Sequence, residues 1–186
     1  GGISRSQLGT SPLHVAAANS NIEAIELLLR HGARLHATNR THTMPVHMAA
    51  QYSADALRVF LRHGIEPGVR DRNKQTLLHF AARNGNCHAV RVLIESCSDI
   101  VPPDTVDRWQ RTPVHWAVLN GHLPCLEVLL QLGADPTPPL IIKAARKKTH
   151  LIPETPLQVA ARARAHQPEF EAMLREYAAH RDRSAS

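Results

Sequence analysis

The hexapeptide TPVHWA occupies residues 112–117, and related hexapeptides occur at four other places in the chain. They are SPLHVA from Ser11, MPVHMA from Met44, TLLHFA from Thr76 and TPLQVA from Thr155. Successive copies begin 33, 32, 36 and 43 residues apart. A second motif follows each of the first four copies: IELLLRHGA (25–33), LRVFLRHGI (57–65), VRVLIESCS (90–98) and LEVLLQLGA (126–134). Phased copies at such a period indicate stacked structural repeats, each too small to bury its apolar face alone.

The residue types in the two motifs are those of paired helices. Ser or Thr at the first position can cap a helix N-terminus, and the proline after it is tolerated in the first turn, where no amide partner is needed. Leu and Ala then recur at helical spacing. The glycine that closes the second motif, such as Gly32 or Gly133, permits a left-handed helix end. We therefore predict a helix, a short turn and a second helix in each unit.

These motifs resemble those of ankyrin-repeat proteins, in which T-P-L-H-x-A opens each unit and L-L-x-x-G-A closes its second helix. The resemblance implies an all-α solenoid of five stacked helix–turn–helix repeats with hairpin-like loops and little β structure. We expect a single domain over residues 9–180, with tails at 1–8 and 181–186. The repeats are expected at about 9–41, 42–73, 74–109, 110–135 and 153–180, with a basic, proline-rich insertion at 136–152.

Four copies of the first motif share a histidine, and we call these residues the frame histidines: His14, His47, His79 and His115. The resemblance implies that each one hydrogen-bonds near its own Thr and to the neighbouring loop, which ties one repeat to the next. Equivalent residues of stacked repeats lie about 10 Å apart, whereas zinc ligands lie about 2 Å from the metal. We therefore predict a structural role for these histidines and no metal site. In the fifth copy Gln158 replaces the histidine.

Several departures from the pattern predict local differences between repeats. Met44 replaces the capping hydroxyl in the second repeat, and QYSAD (51–55) shortens the turn between its helices. Cys97 replaces the closing glycine of the third repeat, which predicts a rearranged helix end. In the fifth repeat, apolar residues at i, i+3, i+4 and i+7 predict a C-terminal capping helix: Phe170, Met173, Leu174 and Tyr177.

Composition and motif content exclude several classes of protein. Hydrophobic residues make up 43% of the chain but aromatic residues only 4%, so we predict a core of Leu, Val, Ile and Ala. No apolar run approaches the ~20 residues of a membrane span, so no membrane insertion is predicted. The three cysteines, with no close pair along the chain, favour buried packing roles and a reducing compartment, the cytoplasm or the nucleus: Cys87, Cys97 and Cys125. The chain has no P-loop, G-x-S-x-G, H-E-x-x-H or C-x-x-C motif. We predict no enzyme activity, no catalytic residue and no cofactor.

The resemblance places partner contacts on the hairpin tips and on the exposed face of the first helices, which together line a concave groove. The tip positions and the residues beside them are rich in arginine, and tyrosine and tryptophan occur among them. Arg, Trp and Tyr are the side chains favoured at interface hot spots. The predicted partner-binding residues are Arg40, Tyr52, Arg72, Arg83, Trp109, Arg111 and Leu119.

The insertion at 136–152 concentrates positive charge. Lys143, Arg146, Lys147 and Lys148 supply four positive charges against a net charge of +6 for the whole chain, and the insertion has no acidic residue. Three interpretations stay open: a tolerated surface loop, a basic finger that contacts the partner, and a nuclear-import or nucleic-acid patch. The apolar residues of the insertion favour an ordered short helix over 140–148.

These observations predict a non-catalytic protein–protein interaction module, an adaptor or scaffold that binds a peptide or loop with acidic groups in its groove. The first alternative is a binder of nucleic acid or of a phosphorylated ligand that uses the same arginines. A charge of +6 spread over a long surface supports that alternative weakly, since nucleic-acid binders concentrate their charge. The second alternative is a structural spacer within a larger protein.

Overall fold

The computed structural model describes residues 9–97, 99–138, 154–162 and 168–184, and these residues form ten helices in five pairs. The pairs are α1 (Pro12–Ala18) and α2 (Ile22–Arg30), α3 (Pro45–Tyr52) and α4 (Ala54–Arg62), α5 (Leu77–Asn84) and α6 (Cys87–Cys97), α7 (Pro113–Leu119) and α8 (Leu123–Gln131), α9 (Pro156–Arg162) and α10 (Pro168–Ser184). The described residues contain no β-strand, and their one isolated bridge is antiparallel, between Arg70 and Thr76. The all-α prediction is confirmed.

The helices form two layers. The first helices of the pairs (α1, α3, α5, α7 and α9) contact one another in chain order, and the second helices (α2, α4, α6, α8 and α10) do the same. The core between the layers consists mostly of Leu, Val, Ile and Ala, as the composition predicts, with Phe60 among the largest fully buried side chains. Because each helix pair buries its apolar face against the pairs beside it, the architecture is a solenoid.

The first helices begin at the predicted caps. Proline occupies the first helical position of α1, α3 and α7. At α1, the hydroxyl of Ser11 accepts the backbone N–H of His14 at 3.4 Å, and Nδ1 of His14 accepts the backbone N–H of Ser11 at 3.2 Å. These reciprocal bonds satisfy two N–H groups that a helix N-terminus leaves unpaired.

Three hairpin-like loops, which we call the fingers, join the first four repeats at residues 39–43, 71–75 and 107–111. Each finger begins with Asn39, Asp71 or Asp107, whose side chain accepts the backbone N–H groups of the residues two and four positions later. Adjacent fingers are joined by backbone hydrogen bonds, from Arg72 N to Thr41 O at 3.0 Å and from Arg108 N to Asn73 O at 2.9 Å. The fingers therefore form a continuous row, which sets the spacing of the side chains at their tips.

The structure shows two of the predicted departures from the repeat pattern, the shortened turn of the second repeat and the helix end of the third. Ser53 alone separates α3 from α4, and its hydroxyl accepts the backbone N–H of Ala56 at 3.1 Å, so the shortened turn is confirmed. Helix α6 continues to Cys97, whereas α2 and α8 end before the glycine of their motif. The predicted rearrangement at Cys97 is therefore a longer helix without a left-handed residue at that position.

The C-terminal helix is longer than expected. Phe170 and Leu174 are buried, as a capping helix requires, and Met173 and Tyr177 pack against the core. Helix α10 ends at Ser184, so the predicted tail from residue 181 begins as helix. One physical reason is the 2.8 Å ion pair between Arg181 and Asp135, which joins the extension to the end of the fourth repeat.

Candidate protein-interaction surface

Three of the four frame histidines link successive repeats. Because a backbone N–H can only donate, Nδ1 of each ring is an unprotonated acceptor and the proton lies on Nε2. That N–H donates to a carbonyl oxygen of the next loop in three cases, His14 to Thr43 at 2.9 Å, His79 to Arg111 at 3.0 Å and His115 to Glu154 at 2.7 Å. For these three residues the predicted structural role is confirmed.

His47 departs from the prediction. Its Nδ1 accepts the backbone N–H of Met44 at 3.1 Å, but its buried Nε2 has no hydrogen-bond partner in the described part of the chain. The thioether of Met44 also cannot supply the hydroxyl that lies 2.8–2.9 Å from Nδ1 in the other three repeats. The ring instead packs edge-on against Phe80, with 5.0 Å between the ring centroids. The histidine link from repeat 2 to repeat 3 is therefore missing, and an unpaired buried N–H costs about 1–3 kcal/mol.

Burial keeps His47, His79 and His115 neutral at physiological pH. Loss of solvation lowers the pKa of His47, His79 and His115 from 6.5 to about 4. The backbone hydrogen bonds to Arg111 and Glu154 act in the opposite direction on the pKa of His79 and His115, but burial dominates. A neutral ring can accept at Nδ1 and donate at Nε2 together, which is what the links between repeats require.

Asp107 organises the third finger and positions two tryptophans. Its carboxylate is buried; Oδ1 accepts the backbone N–H of Trp109 at 2.8 Å and that of Arg111 at 3.0 Å. Oδ2 accepts the indole N–H of Trp116 at 3.0 Å. The two indole rings meet edge to face, with 6.2 Å between centroids and an interplanar angle of 70°. One buried carboxylate therefore orients both the finger and an indole of the following helix.

Three arginines surround these indoles. The guanidinium carbons of Arg83 and Arg111 each lie 5.5 Å from the centroid of the Trp116 ring, and that of Arg108 lies 5.3 Å from the centroid of the Trp109 ring. Such distances are within the range of cation–π attraction. We call the five residues Arg83, Arg108, Trp109, Arg111 and Trp116 the arginine–tryptophan cluster. It combines the end of α5, the third finger and the start of α7.

The three cations of the cluster outnumber the one carboxylate beside them, that of Asp107. Among the ion pairs of the described residues, none includes Arg83, Arg108 or Arg111. Arg108 donates to the side-chain oxygen of Asn73 at 3.2 Å, which is a neutral acceptor. The nearby carboxylate of Asp107 is already engaged by three N–H donors. The cluster therefore presents positive charge with guanidinium donors available to an anionic group.

The structure brings together three of the seven predicted partner-binding residues, Arg83, Trp109 and Arg111. The tip residues Arg40 and Arg72 are exposed on the neighbouring fingers. Tyr52 is 49% exposed but lies at the turn between α3 and α4, beside a cavity of about 350 Å³ that it lines with Arg58 and His88. Leu119 packs against the core. The basic residues Lys143, Arg146, Lys147 and Lys148, and the expected helix over 140–148, lie outside the described residues.

Arg108 and Trp116 are the two cluster residues that are not among the seven predicted partner-binding residues. The side chain of Trp116 is half-buried and carries two of the three cation–π contacts. The sequence signal for Trp116 is its position directly after a frame histidine. The histidine ring faces inward, so the next residue lies further round the helix, towards its exposed side. Val15, at that position in the first repeat, is 49% exposed.

The cysteines fit packing roles. Cys125 is fully buried, and burial raises the pKa of its thiol, as does a hydrogen bond with the side chain of Cys87. Because of this hydrogen bond, Cys87 and Cys125 are neighbours in space, although they lie far apart along the chain. Burial also raises the pKa of the Cys97 thiol. Raised thiol pKa values disfavour the reactive thiolate.

The stacked helix pairs and the row of fingers that joins them define a helical repeat protein. A family model described as ankyrin repeats (3 copies) matches residues 2–71 and 46–139. The chain belongs to the ankyrin-repeat family. Members of this family generally mediate protein–protein interaction and are typically non-catalytic.

Curated relatives share the repeats. Inversin of Canis lupus familiaris is 32% identical to the chain over 95 residues, and Inversin of Homo sapiens and of Mus musculus are each 30% identical over 95 residues. The aligned segment covers 50% of this chain and 9% of each relative. The similarity therefore concerns a small repeat-containing part of those proteins.

The described residues contain neither a membrane-spanning helix nor a metal-binding group of side chains. None of their helices is both long enough and apolar enough to cross a bilayer. Within the same residues, no three His, Cys, Asp or Glu side chains are arranged to hold a metal ion.

Proposed function

We propose that the chain is a non-catalytic adaptor domain that binds an acidic peptide or loop of another protein. The binding surface is the first-helix face, formed by the finger tips and the exposed sides of α1, α3, α5 and α7, with the arginine–tryptophan cluster at its centre. Exposed Arg40 and Arg72 extend this surface along the row of fingers. The proposed compartment is the cytoplasm or the nucleus.

The observation that carries this proposal is the positive charge of the three arginines in the cluster, which is unpaired within the described part of the chain. Arg83, Arg108 and Arg111 lie against indole rings, and no ion pair among the described residues includes them. A guanidinium stacked on an indole keeps its N–H donors for a carboxylate, which it can bind with two parallel hydrogen bonds. A side chain already restricted by such contacts also loses less conformational freedom when a partner binds.

Single-stranded nucleic acid is the competing ligand, because bases stack on exposed aromatic rings. The geometry favours a protein partner. The Trp109 ring already has Arg108 above it and Trp116 at its edge, and only 36% of the residue is exposed. Trp116 is half-buried, with its indole N–H bound to Asp107. Little free ring face is left for a base, while the guanidinium donors stay accessible.

The first test identifies the partner and the surface together. Cross-linking mass spectrometry of the native complex should place the partner against the fingers and first helices. Isothermal titration of that partner should then show at least about tenfold weaker binding to the double variant Arg83→Glu/Arg111→Glu, because charge reversal removes a favourable pair and adds repulsion. The matched control is Arg30→Glu/Arg91→Glu, which reverses two exposed arginines of the second helices. Equal affinities of the two double variants, or cross-links confined to the second helices, contradict the proposal.

A second test uses the most exposed indole. Trp109→Ala should weaken partner binding by about 2 kcal/mol or more, as hot-spot truncations do, and should change the melting temperature little. Early melting with unchanged affinity would assign Trp109 to packing against Trp116 and would remove it from the binding surface. An RNA ligand whose affinity falls steeply with ionic strength, with no protein partner recovered, would favour the nucleic-acid alternative.

A further inference from the structure

The residue after each frame histidine forms a row across the first helices, and its character changes along the row. The residues are Val15, Met48, Phe80 and Trp116. Val15 is 49% exposed, Met48 is partly buried and packs against the core, and Phe80 is only 7% exposed. The row is therefore open and aliphatic in the first two repeats. In the fourth repeat it ends in the half-buried indole that Arg83 and Arg111 flank.

The charge of the same face changes in parallel. Helices α1 (PLHVAAA) and α3 (PVHMAAQY) contain no lysine, arginine, aspartate or glutamate. The next helix, α5, brings Arg83, and the third finger brings Arg108 and Arg111. On the helices of this face an uncharged apolar half thus adjoins a cationic half, while the finger tips beside the apolar half carry the exposed Arg40 and Arg72.

We propose that the partner segment is bipartite: an extended peptide that places apolar side chains on Val15 and Met48 and acidic side chains on Arg83 and Arg111. This inference rests on the proposed function and adds to it a second, apolar recognition element. The cationic half attracts and orients the acidic end, since charge complementarity mainly determines encounter and register. Burial of aliphatic surface on the other half then supplies affinity.

The geometry sets the spacing of the two elements in the peptide. Packed helices lie about 8–10 Å apart, so Met48 and Trp116, two repeats apart, are separated by roughly 20 Å. Val15 and Trp116, three repeats apart, are separated by roughly 30 Å. An extended chain advances about 3.3 Å per residue. The apolar and acidic elements should therefore be separated by about six to nine residues.

The experiment is a selection of displayed random 16-residue peptides on the whole folded chain. The expected result is enrichment of peptides with acidic residues about six to nine positions from an aliphatic or aromatic residue. Enrichment of acidic peptides with no fixed apolar position would overturn the bipartite inference and leave the proposed function intact. Enrichment of peptides without acidic residues, or no enrichment, would overturn both.

Variants then assign each element to its half of the face. For a selected peptide, Val15→Glu should weaken binding about tenfold, the factor that corresponds to losing the burial of one aliphatic side chain. Leu27→Glu is the matched control, since Leu27 is 50% exposed but lies on α2 in the other layer. A peptide shortened to its acidic half should bind Val15→Glu and the parent chain equally. Equal binding of the full peptide to Val15→Glu and to the parent chain would overturn the inference. The melting temperatures of all variants establish that each one is folded.

Discussion

The indole nitrogen of Trp116 donates a 3.0 Å hydrogen bond to Oδ2 of Asp107, and this bond joins a finger to the first helix that follows it. Oδ1 of the same carboxylate accepts the backbone N–H groups of Trp109 and Arg111. The side chain that shapes the loop therefore also orients the ring on which Arg83 and Arg111 lie. In the preceding finger, Asp71 shapes the loop in the same way but has no indole partner.

Asp107→Asn is expected to remove the indole bond selectively. The asparagine oxygen can still accept the two backbone N–H groups, but its NH₂ group cannot accept from Trp116. We expect a loss of about 1–3 kcal/mol in the free energy of unfolding, measured by urea denaturation, with a shift in tryptophan fluorescence. The matched control is Asp71→Asn, because Oδ2 of Asp71 has only a 3.4 Å contact with the Asn73 amide. Equal losses from both substitutions would show that the indole bond contributes nothing to stability.

His79→Ala is expected to destabilise the fold by about 1–3 kcal/mol, because the cap N–H of Thr76 and the carbonyl of Arg111 both lose their partner. His79→Gln should lose less. Gln158 shows why, since its side-chain oxygen accepts the cap N–H of Thr155 at 2.8 Å where the other repeats use histidine. Chemical denaturation of the two variants, with exposed His36→Ala as control, checks the order. Unchanged stability of His79→Ala would refute the structural role.

Stability is expected to fall on acidification. Burial lowers the pKa of His47, His79 and His115 to about 4 in the folded chain, from 6.5. The unfolded chain therefore binds more protons in this window, and the contribution of each residue is present above pH 6.5 and is lost progressively towards pH 4.

Each of these histidines should contribute a slope of about 1.4 kcal/mol per pH unit within the window. Denaturant unfolding at closely spaced pH values measures the slope, and His79→Gln should reduce it. Burial raises the pKa of Asp71 and Asp104, and this opposes the loss of stability only near the pH at which carboxyl groups titrate. Constant stability between pH 6.5 and 4.5 would contradict the lowered pKa of these three histidines.

Gly85→Ala is expected to destabilise more than Gly32→Ala. Both glycines are left-handed, with φ of 73° and 77°, so both substitutions carry the same backbone cost. A Cβ at Gly85 would lie 2.7 Å from Nδ1 of His122, whereas a Cβ at Gly32 would meet nothing within 4 Å. The His122 ring cannot move freely, because its Nε2 bonds the carbonyl of Arg83 at 3.1 Å. Thermal melts should differ by an amount equivalent to about 1–3 kcal/mol. Equal melting temperatures would mean that the ring adjusts without cost.

What the sequence determined by itself was the repeating part of the molecule. The links made by His14, His79 and His115 were implied by the resemblance to ankyrin repeats, whereas the paired helices, the core composition and the short turn at Ser53 follow from short motifs. They could be predicted because caps, helical spacing and turn chemistry act between residues a few positions apart, and because five phased copies reinforce a signal that is weak in one copy.

What only the tertiary structure decided depends on contacts between different repeats. Arg83 and Trp116 are brought together by the stacking of α5 on α7, and Cys87 and Cys125 by that of α6 on α8. Tyr52 lies at the turn between α3 and α4, beside a cavity that it lines with Arg58 and His88. His47 likewise has the cap bond that its motif predicts but not the link to the next repeat. The physical reason is that such contacts depend on the offset and rotation between neighbouring helix pairs. Those quantities come from the packing of whole side-chain layers, and no single motif encodes them.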